Sequence, residues 1–192
     1  MTDSSAHVDP RIERTRAHVL AATAALLEEH GAEHATIEAI AEHARVSKST
    51  IYRHWRSRES LLLQALQAAA EAAAPAAADD PATDLAERLT AFAALLQRRG
   101  VRTVVFSLGQ AVEQDPDLAA ELRATLDRHR PKSRERILRL APHLDTRDAD
   151  AITDMLTGLV CYRLLTGQLL ASDDMRHAVE LVAKHLTALS TT

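Results

Sequence analysis

A cluster of cations between Arg45 and Arg58 holds the side chains of this sequence that are best suited to binding chemistry. The stretch contains five basic residues and no acidic one, in a chain whose net charge is −4. These cations are Arg45, Lys48, Arg53, Arg56 and Arg58. Serine and threonine hydroxyls and one tyrosine lie between them, and this mixture of donors suits phosphate oxygens and base edges. The alternative interpretation is a solvated helix face without a partner.

Two short helices are expected to position these side chains. Thr36 and Ser47 have the character of N-caps, whose hydroxyls accept a hydrogen bond from the first turn. Too few residues separate the two helices for antiparallel packing, so they must cross at a steep angle. Ala41 is small where they approach, Val46 fills the turn, and Ile51 anchors the second helix. This geometry lets the second helix enter a DNA major groove. Its outward face would carry Lys48, Ser49, Tyr52 and Arg53.

The sequence around these two helices resembles the N-terminal DNA-binding domain of TetR-family (tetracycline-repressor-like) regulators, over about Arg11 to Leu66. The matching residues are Thr36, Ala41–Ala44, Val46-Ser47-Lys48, Thr50-Ile51-Tyr52-Arg53-His54 and Leu61-Leu62. Arg45 departs from the family, which usually has glycine in the turn. If this position is left-handed, a residue other than glycine costs roughly 1 kcal/mol.

The resemblance implies a transcriptional regulator, not an enzyme, whose partner is a double-stranded DNA operator. Helix starts and exposed hydroxyls suit phosphates, whereas the cations of the second helix suit base edges. Trp55 is expected in the core. The candidate DNA contacts are Thr36, Arg45, Ser47, Lys48, Ser49, Thr50, Tyr52, Arg53, His54 and Arg58.

The composition predicts an all-α fold, because strong helix formers dominate and aromatic residues make up only 3%. The Ala- and Pro-rich stretch after Glu71 suggests a domain boundary. We expect an arm over residues 1–10, a helix-turn-helix domain over 11–70, a linker over 71–84, and a ligand-binding and dimerisation domain over 85–192. About nine helices are expected: Arg11–His30, Ile37–Ala44, Lys48–Trp55, a fourth from Ser57 to about Ala74, Pro81–Arg98, Val101–Glu113, Pro116–Leu140, Arg147–Leu169 and Asp173–Leu189. Pro131 should kink or break the seventh.

A homodimer is expected, because one short recognition helix makes too few contacts for a specific site. The apolar residues of the last two helices exceed what one side of a surface helix needs. The resemblance implies that these helices pair with their copies, although burial within one chain is the alternative. The candidate interface residues are Ile152, Leu156, Val160, Leu164, Leu181, Val182, Leu186 and Leu189.

The resemblance also implies a cavity among the middle helices for a small molecule. Such a ligand would release the protein from a palindromic operator by shifting its conformational population. The candidate wall residues are mostly apolar, which favours a hydrophobic ligand. Plain core packing is the alternative for each wall residue. The candidate walls are Phe92, Leu96, Val105, Phe106, Gln110, Leu122, Leu126, His129, Met155, Leu159 and Tyr162.

Other functions find little support in the sequence. It has no metal-binding histidine motif, no glycine-rich phosphate loop and one cysteine, Cys161, which we expect to be a buried structural thiol. No cofactor, metal or membrane contact is therefore expected, and the chain should be cytoplasmic. Two alternatives stay open: a helix-turn-helix DNA-binding protein without an inducer, and a helical-bundle enzyme.

Overall fold

The structure is a computed structural model that describes residues 10–168 and 171–189, with side chains described through residue 186. Nine α-helices and no strand occur in this described part, so the predicted all-α fold is confirmed. The helices are α1 (Pro10–His30), α2 (Ile37–His43), α3 (Lys48–His54), α4 (Arg58–Ala73), α5 (Pro81–Gln97), α6 (Arg99–Gln114), α7 (Pro116–Leu140), α8 (Thr146–Leu165) and α9 (Ser172–Leu189). Of the predicted arm, only Pro10 is described, and it begins α1.

Short polar side chains begin several helices, as predicted. The Thr36 hydroxyl accepts from the backbone N–H of Ala39 at 3.1 Å, which satisfies a donor in the first turn of α2. Asp80 and Asp115 cap α5 and α7, and each is followed by proline at the first helical position, where the missing N–H costs nothing.

Two helices differ from prediction around Pro131 and Gly167. The predicted break at Pro131 is wrong, because α7 continues through it. Pro131 and Asp127 are both exposed, so water can satisfy the carbonyl that loses its partner. Helix α8 ends at Leu165, four residues before the predicted end, because Gly167 adopts φ 69° and its N–H donates to the carbonyl of Leu164.

The chain divides into two compact units, and the division differs from the predicted boundaries. The described part of the first unit comprises residues 10–69 and 99–111, and that of the second comprises residues 70–98, 112–168 and 171–189. The boundary near residue 70 was expected. Most of α6 belongs to the same unit as the N-terminal helices, which was not predicted. The predicted linker over 71–84 contains the end of α4 and the start of α5.

The first unit has an aliphatic core beneath α2 and α3. Val19, Ile40, Ile51 and Leu61 are fully buried. Helix α6 joins this core through Gly100: a Cβ at this position would lie 2.7 Å from the carbonyl carbon of Leu27 in α1. Only glycine therefore allows the two backbones to approach this closely.

In the second unit, α5 packs against α7, α8 and α9. Its core includes Leu118, Ile137, Val160 and Val179, none of which is more than 1% exposed. A charged cluster completes the packing of α5 on α7: the buried carboxylate of Asp84 lies 3.2 Å from Arg88 Nε, 3.3 Å from Arg136 Nε and 3.9 Å from Arg139 Nη1. Ala78 N–H also donates to Asp84.

The electrostatics of this cluster keep Asp84 ionised. Burial alone raises the pKa of the Asp84 carboxyl, but the Ala78 N–H, Arg88 and Arg136 outweigh burial, so the net pKa lies below its ordinary value. Burial, together with neighbouring Arg88, lowers the pKa of Arg136. One carboxylate thus faces three guanidinium groups.

Candidate nucleic-acid interface

Backbone hydrogen bonds fix the turn between α2 and α3. Val46 N–H donates to the carbonyl of Ala41 at 2.9 Å, and Arg45 N–H donates to Glu42 at 3.1 Å. Arg45 adopts φ 52°, so the left-handed conformation that favours glycine is present, with an arginine in it. The guanidinium side of Arg45 faces outward, since the residue is exposed.

Helix α3 buries one face and exposes the other. Ile51 is fully buried and Trp55, at the C-cap, is 1% exposed, so the expectation that Trp55 belongs to the core is confirmed. Tyr52 is 56% exposed, and Lys48, Ser49 and Arg53 are also exposed. The outward set expected from the spacing is therefore accessible to a macromolecular partner.

Three hydroxyls form a hydrogen-bonded group at the start of α3. Ser47 Oγ accepts from the backbone N–H of Thr50 at 3.1 Å, which confirms its predicted capping role. The same oxygen lies 2.8 Å from Ser49 Oγ and 2.8 Å from Thr50 Oγ1. Ser47 and Ser49 are exposed, whereas Thr50 is half-buried. The group can exchange these internal bonds for bonds to an incoming acceptor, since hydroxyls both donate and accept.

The ammonium group of Lys48 has an acidic neighbour on α2. Lys48 Nζ lies 2.9 Å from Glu38 Oε1, and both side chains are more than half exposed. The hydrogen bond to Glu38 raises the pKa of Lys48, and the same bond lowers the pKa of Glu38. This ion pair keeps Lys48 charged, but Glu38 competes with a phosphate or a base for the ammonium group. Glu38 is not among the predicted site residues.

Arg58 has a different environment from the one expected of a phosphate contact. Its Nε donates to the carbonyl of Ala35 at 2.8 Å, its Nη2 donates to the carbonyl of Ala32, and its Nη1 lies 3.3 Å from Glu59. All three nitrogens thus bind within the chain. Because these bonds tie the loop before α2 to the start of α4, we assign Arg58 a structural role and leave it out of the proposed DNA contacts.

Other polar contacts support the interface and were missed from the sequence. Gln64 Oε1 accepts from Trp55 Nε1 at 2.9 Å and from Arg16 Nη2 at 2.7 Å, which joins α1, α3 and α4. His18 Nε2 lies 2.9 Å from the carbonyl of Ala44, at the end of α2. No local sequence signal predicts these bonds, because their partners are distant in the chain.

Of the remaining candidate DNA contacts, Thr36 is exposed and His54 is half-buried.

The predicted ligand pocket is not supported as a set of walls. Leu126, Met155 and Tyr162 are 57%, 69% and 60% exposed, so these side chains do not enclose a cavity within one chain. Leu96 is buried, Phe106 and Gln110 are exposed, and Phe92, Val105, Leu122, His129 and Leu159 are half-buried. A cavity of about 80 Å³ in the second unit includes only Phe92 of the predicted walls.

The predicted dimer face requires a correction. Leu156, Val160, Leu164 and Leu186 are at most 7% exposed, so they lie in the core of one chain, as the alternative had it, and offer little surface to a second copy. Ile152 and Val182 are half-buried, Leu181 is 53% exposed, and the side chain of Leu189 lies outside the described residues. The exposed apolar residues of α8 lie on the opposite side, at Met155, Tyr162 and Leu165.

Two further predictions, a buried thiol at Cys161 and the absence of a membrane contact, concern residues away from α2 and α3. Cys161 is half-buried rather than fully buried, and this burial raises the pKa of its thiol, which disfavours the reactive thiolate. Among the described residues, no helix is long and apolar enough to cross a membrane.

Two family descriptions match this chain in succession. Residues 19–65 match "Bacterial regulatory proteins, tetR family", and residues 75–182 match "Tetracyclin repressor-like, C-terminal domain". The first match includes both helices of the candidate interface and Arg45 in the turn between them. The second begins after α4 and continues into α9.

Named relatives cover the chain in whole or in part. It is 29% identical over 189 residues to the uncharacterized HTH-type transcriptional regulator YdeS of Bacillus subtilis. The aligned region covers 95% of each chain. It is 49% identical over 47 residues to the HTH-type regulator Mb1581 of Mycobacterium bovis, which is 24% of this chain and 23% of that one. The crystal structure of the TetR family regulator SCO0332 superposes with a TM-score of 0.73 at 28% identity, covering 89% of this chain and 97% of that one.

Proposed function

This chain belongs to the tetR family of DNA-binding transcriptional regulators, and we propose that it is a homodimeric repressor, released from a palindromic operator by a small apolar molecule. The observation that carries the DNA-binding part is the exposure of Lys48, Ser49, Tyr52 and Arg53 on α3, above the buried Ile51. A DNA partner also implies action in the cytoplasm.

The exposed side chains on and around α3 differ in which part of the DNA they can bind. Lys48 and Arg53 can donate to the acceptors of guanine in the major groove, where cations give the commonest specific contact. Tyr52, Ser47 and Thr36 can donate to phosphate oxygens and so fix the orientation of the helix. His54, Thr50 and Arg45 border this set, and we include them as candidate contacts.

The second copy of the chain would cover an apolar face of α8. This face contains Ala151, Met155, Gly158, Tyr162 and Leu165, which recur at alternating intervals of four and three residues, as in a helix that packs against another helix. Met155, Tyr162 and Leu165 are 69%, 60% and 66% exposed, which is unusual for one contiguous stripe of large apolar residues.

A second copy is the occupant that DNA recognition requires. A two-fold dimer presents two copies of α3 about 34–36 Å apart, which matches two half-sites one helical turn apart. Leu181 of α9 adds a further exposed apolar residue, and the Arg163–Asp174 ion pair at 3.5 Å fixes α9 to α8.

Mobility-shift assays with DNA from upstream of the gene test the proposed interface. Lys48→Ala and Tyr52→Ala should each weaken binding at least about tenfold, since each removes contacts to charged or polar DNA groups. Lys132→Ala is the matched control, because it removes an exposed lysine of α7 in the second unit. Wild-type affinity in both α3 variants would show that α3 does not contact DNA.

The mass of the particle in solution tests the dimer face. Light scattering should give twice the mass of one chain, and Leu165→Glu should give a monomer because it places a charge in the apolar contact. Leu126→Glu is the control, since Leu126 is an equally large exposed residue on α7. A dimer that survives Leu165→Glu, or that Leu126→Glu dissociates, would refute this face.

A further inference from the structure

A small cavity lies between the end of α4 and the middle of α5, within the second unit. Its volume is about 80 Å³, and its wall is apolar except for one residue. The lining residues are Ala70, Ala73, Ala74, Pro75, Arg88, Ala91, Phe92 and Leu95. Five of these residues are alanine or proline, and Phe92 and Leu95 supply the larger apolar surfaces. Such a mixed lining suits a molecule with one apolar part and one polar group.

The polar residue of this wall, Arg88, has donors to spare. Its Nε donates to Asp84 at 3.2 Å, and its side chain is 22% exposed. Within the described part of the chain, neither Nη group of Arg88 has a hydrogen-bond partner. The two Nη groups form the end-on fork of the guanidinium, a geometry that binds a carboxylate through two parallel hydrogen bonds.

The charge around Arg88 also favours an anion. The buried carboxylate of Asp84 is shared by Arg88, Arg136 and Arg139, and Glu135 also acts electrostatically on Arg136, so three positive charges face two negative charges. Partly buried cations are stabilised by further pairing, since each has lost water. An incoming carboxylate at Arg88 would supply the further negative charge that balances the cluster.

The volume limits the length of the apolar part. A cavity of roughly 150 Å³ accommodates benzene, so about 80 Å³ suits three or four carbon atoms. We infer that this cavity binds a short-chain aliphatic monocarboxylate, with its carboxylate on the Arg88 fork and its chain against Ala91, Phe92 and Leu95. The inference rests on the proposed ligand control and changes the proposed ligand from a wholly apolar molecule to one with a short apolar chain and one carboxylate.

Calorimetric titration of the full chain with pentanoate tests the site. Pentanoate should bind, whereas acetate and 1-pentanol should each bind at least about tenfold more weakly, because acetate lacks the chain and pentanol lacks the charge. Arg88→Met should weaken pentanoate binding to the level of pentanol. Equal binding of acetate and pentanoate would overturn the inference, since it would show simple attraction to surface arginines.

Filling the cavity gives a second test that leaves Arg88 in place. Ala91→Leu, from α5, and Ala73→Leu, from α4, should each abolish pentanoate binding. Ala94→Leu is the matched control, because Ala94 is an exposed residue of α5 outside the cavity wall. Unchanged binding in a folded Ala91→Leu or Ala73→Leu variant would overturn the inference.

Failure of this inference is distinguishable from failure of the proposed function. Calorimetry needs no DNA, and the mobility shift needs no pentanoate. A chain that shifts DNA but does not bind pentanoate refutes the carboxylate site alone. A chain that binds pentanoate but does not shift DNA supports the site and refutes the DNA-binding proposal.

Discussion

Gly100 offers a stringent test of the packing between α1 and α6. A Cβ added there would lie 2.7 Å from the carbonyl carbon of Leu27, whereas carbon atoms in contact prefer about 3.5–4.0 Å. Both neighbours are backbone, so relief requires the two helices to separate by about 1 Å. Overpacking of this kind costs typically 1–3 kcal/mol. We expect Gly100→Ala to lie near the upper end, because no flexible side chain can move aside.

The control for Gly100 is in the same helix. A Cβ at Gly109 meets nothing within 4 Å, so Gly109→Ala should stabilise the protein by up to about 1 kcal/mol, the helix preference of alanine over glycine. In a chain of this size 1 kcal/mol corresponds to roughly 2–4 °C in Tm. Thermal denaturation followed by circular dichroism should therefore move in opposite directions for the two variants. Equal shifts would refute the close approach of α1 and α6.

Three further substitutions test the charged contacts. Arg58→Met should lower the free energy of unfolding by about 1.5–3 kcal/mol, because it removes charged donors from the carbonyls of Ala32 and Ala35. Urea denaturation measures this change, and Arg53→Met, at an exposed arginine, is the control. Asp84→Asn should cost about 1.5–3 kcal/mol at neutral pH, since it leaves the partly buried guanidiniums of Arg88 and Arg136 without a charged acceptor. The pKa of Asp84 is lowered in the folded chain, so the ionised carboxylate stabilises the fold above the ordinary aspartate pKa of about 3.9. This stabilisation is lost as the pH falls below that value. The free energies of unfolding of Asp84→Asn and wild type, measured against pH, should therefore converge at low pH. Glu38→Gln should tighten DNA binding by up to about fivefold at low salt by releasing Lys48, and fluorescence anisotropy at increasing salt should show the gain disappear.

The helix-turn-helix could be predicted from the sequence because its signals are local. Thr36 and Ser47 cap the helices that follow them, and the spacing of Ile51 and Tyr52 separates the buried face of α3 from the exposed one. The left-handed turn at Arg45 could be anticipated from the family resemblance, because the family usually has glycine there. Each of these features depends on residues within a few positions of one another.

The proposed dimer face and the role of Arg58 could not be predicted, because they depend on contacts between distant segments. Helix α8 has apolar residues on both sides, and only the packed structure shows that Val160 is buried while Leu165 is exposed. A basic residue at a helix start suggested an anion contact at Arg58. The carbonyls of Ala32 and Ala35, more than twenty residues away, take its donors instead.

Chemical protection of guanine N7 is the most direct test of DNA binding through α3. When the full chain binds upstream DNA, dimethyl sulfate should find two clusters of protected guanines about 10–10.5 base pairs apart, because α3 of each copy covers the major-groove edge. Arg53→Ala should remove this protection within both clusters. Tight binding with every guanine N7 still reactive would contradict the account, since it would place the cations of α3 away from the major groove.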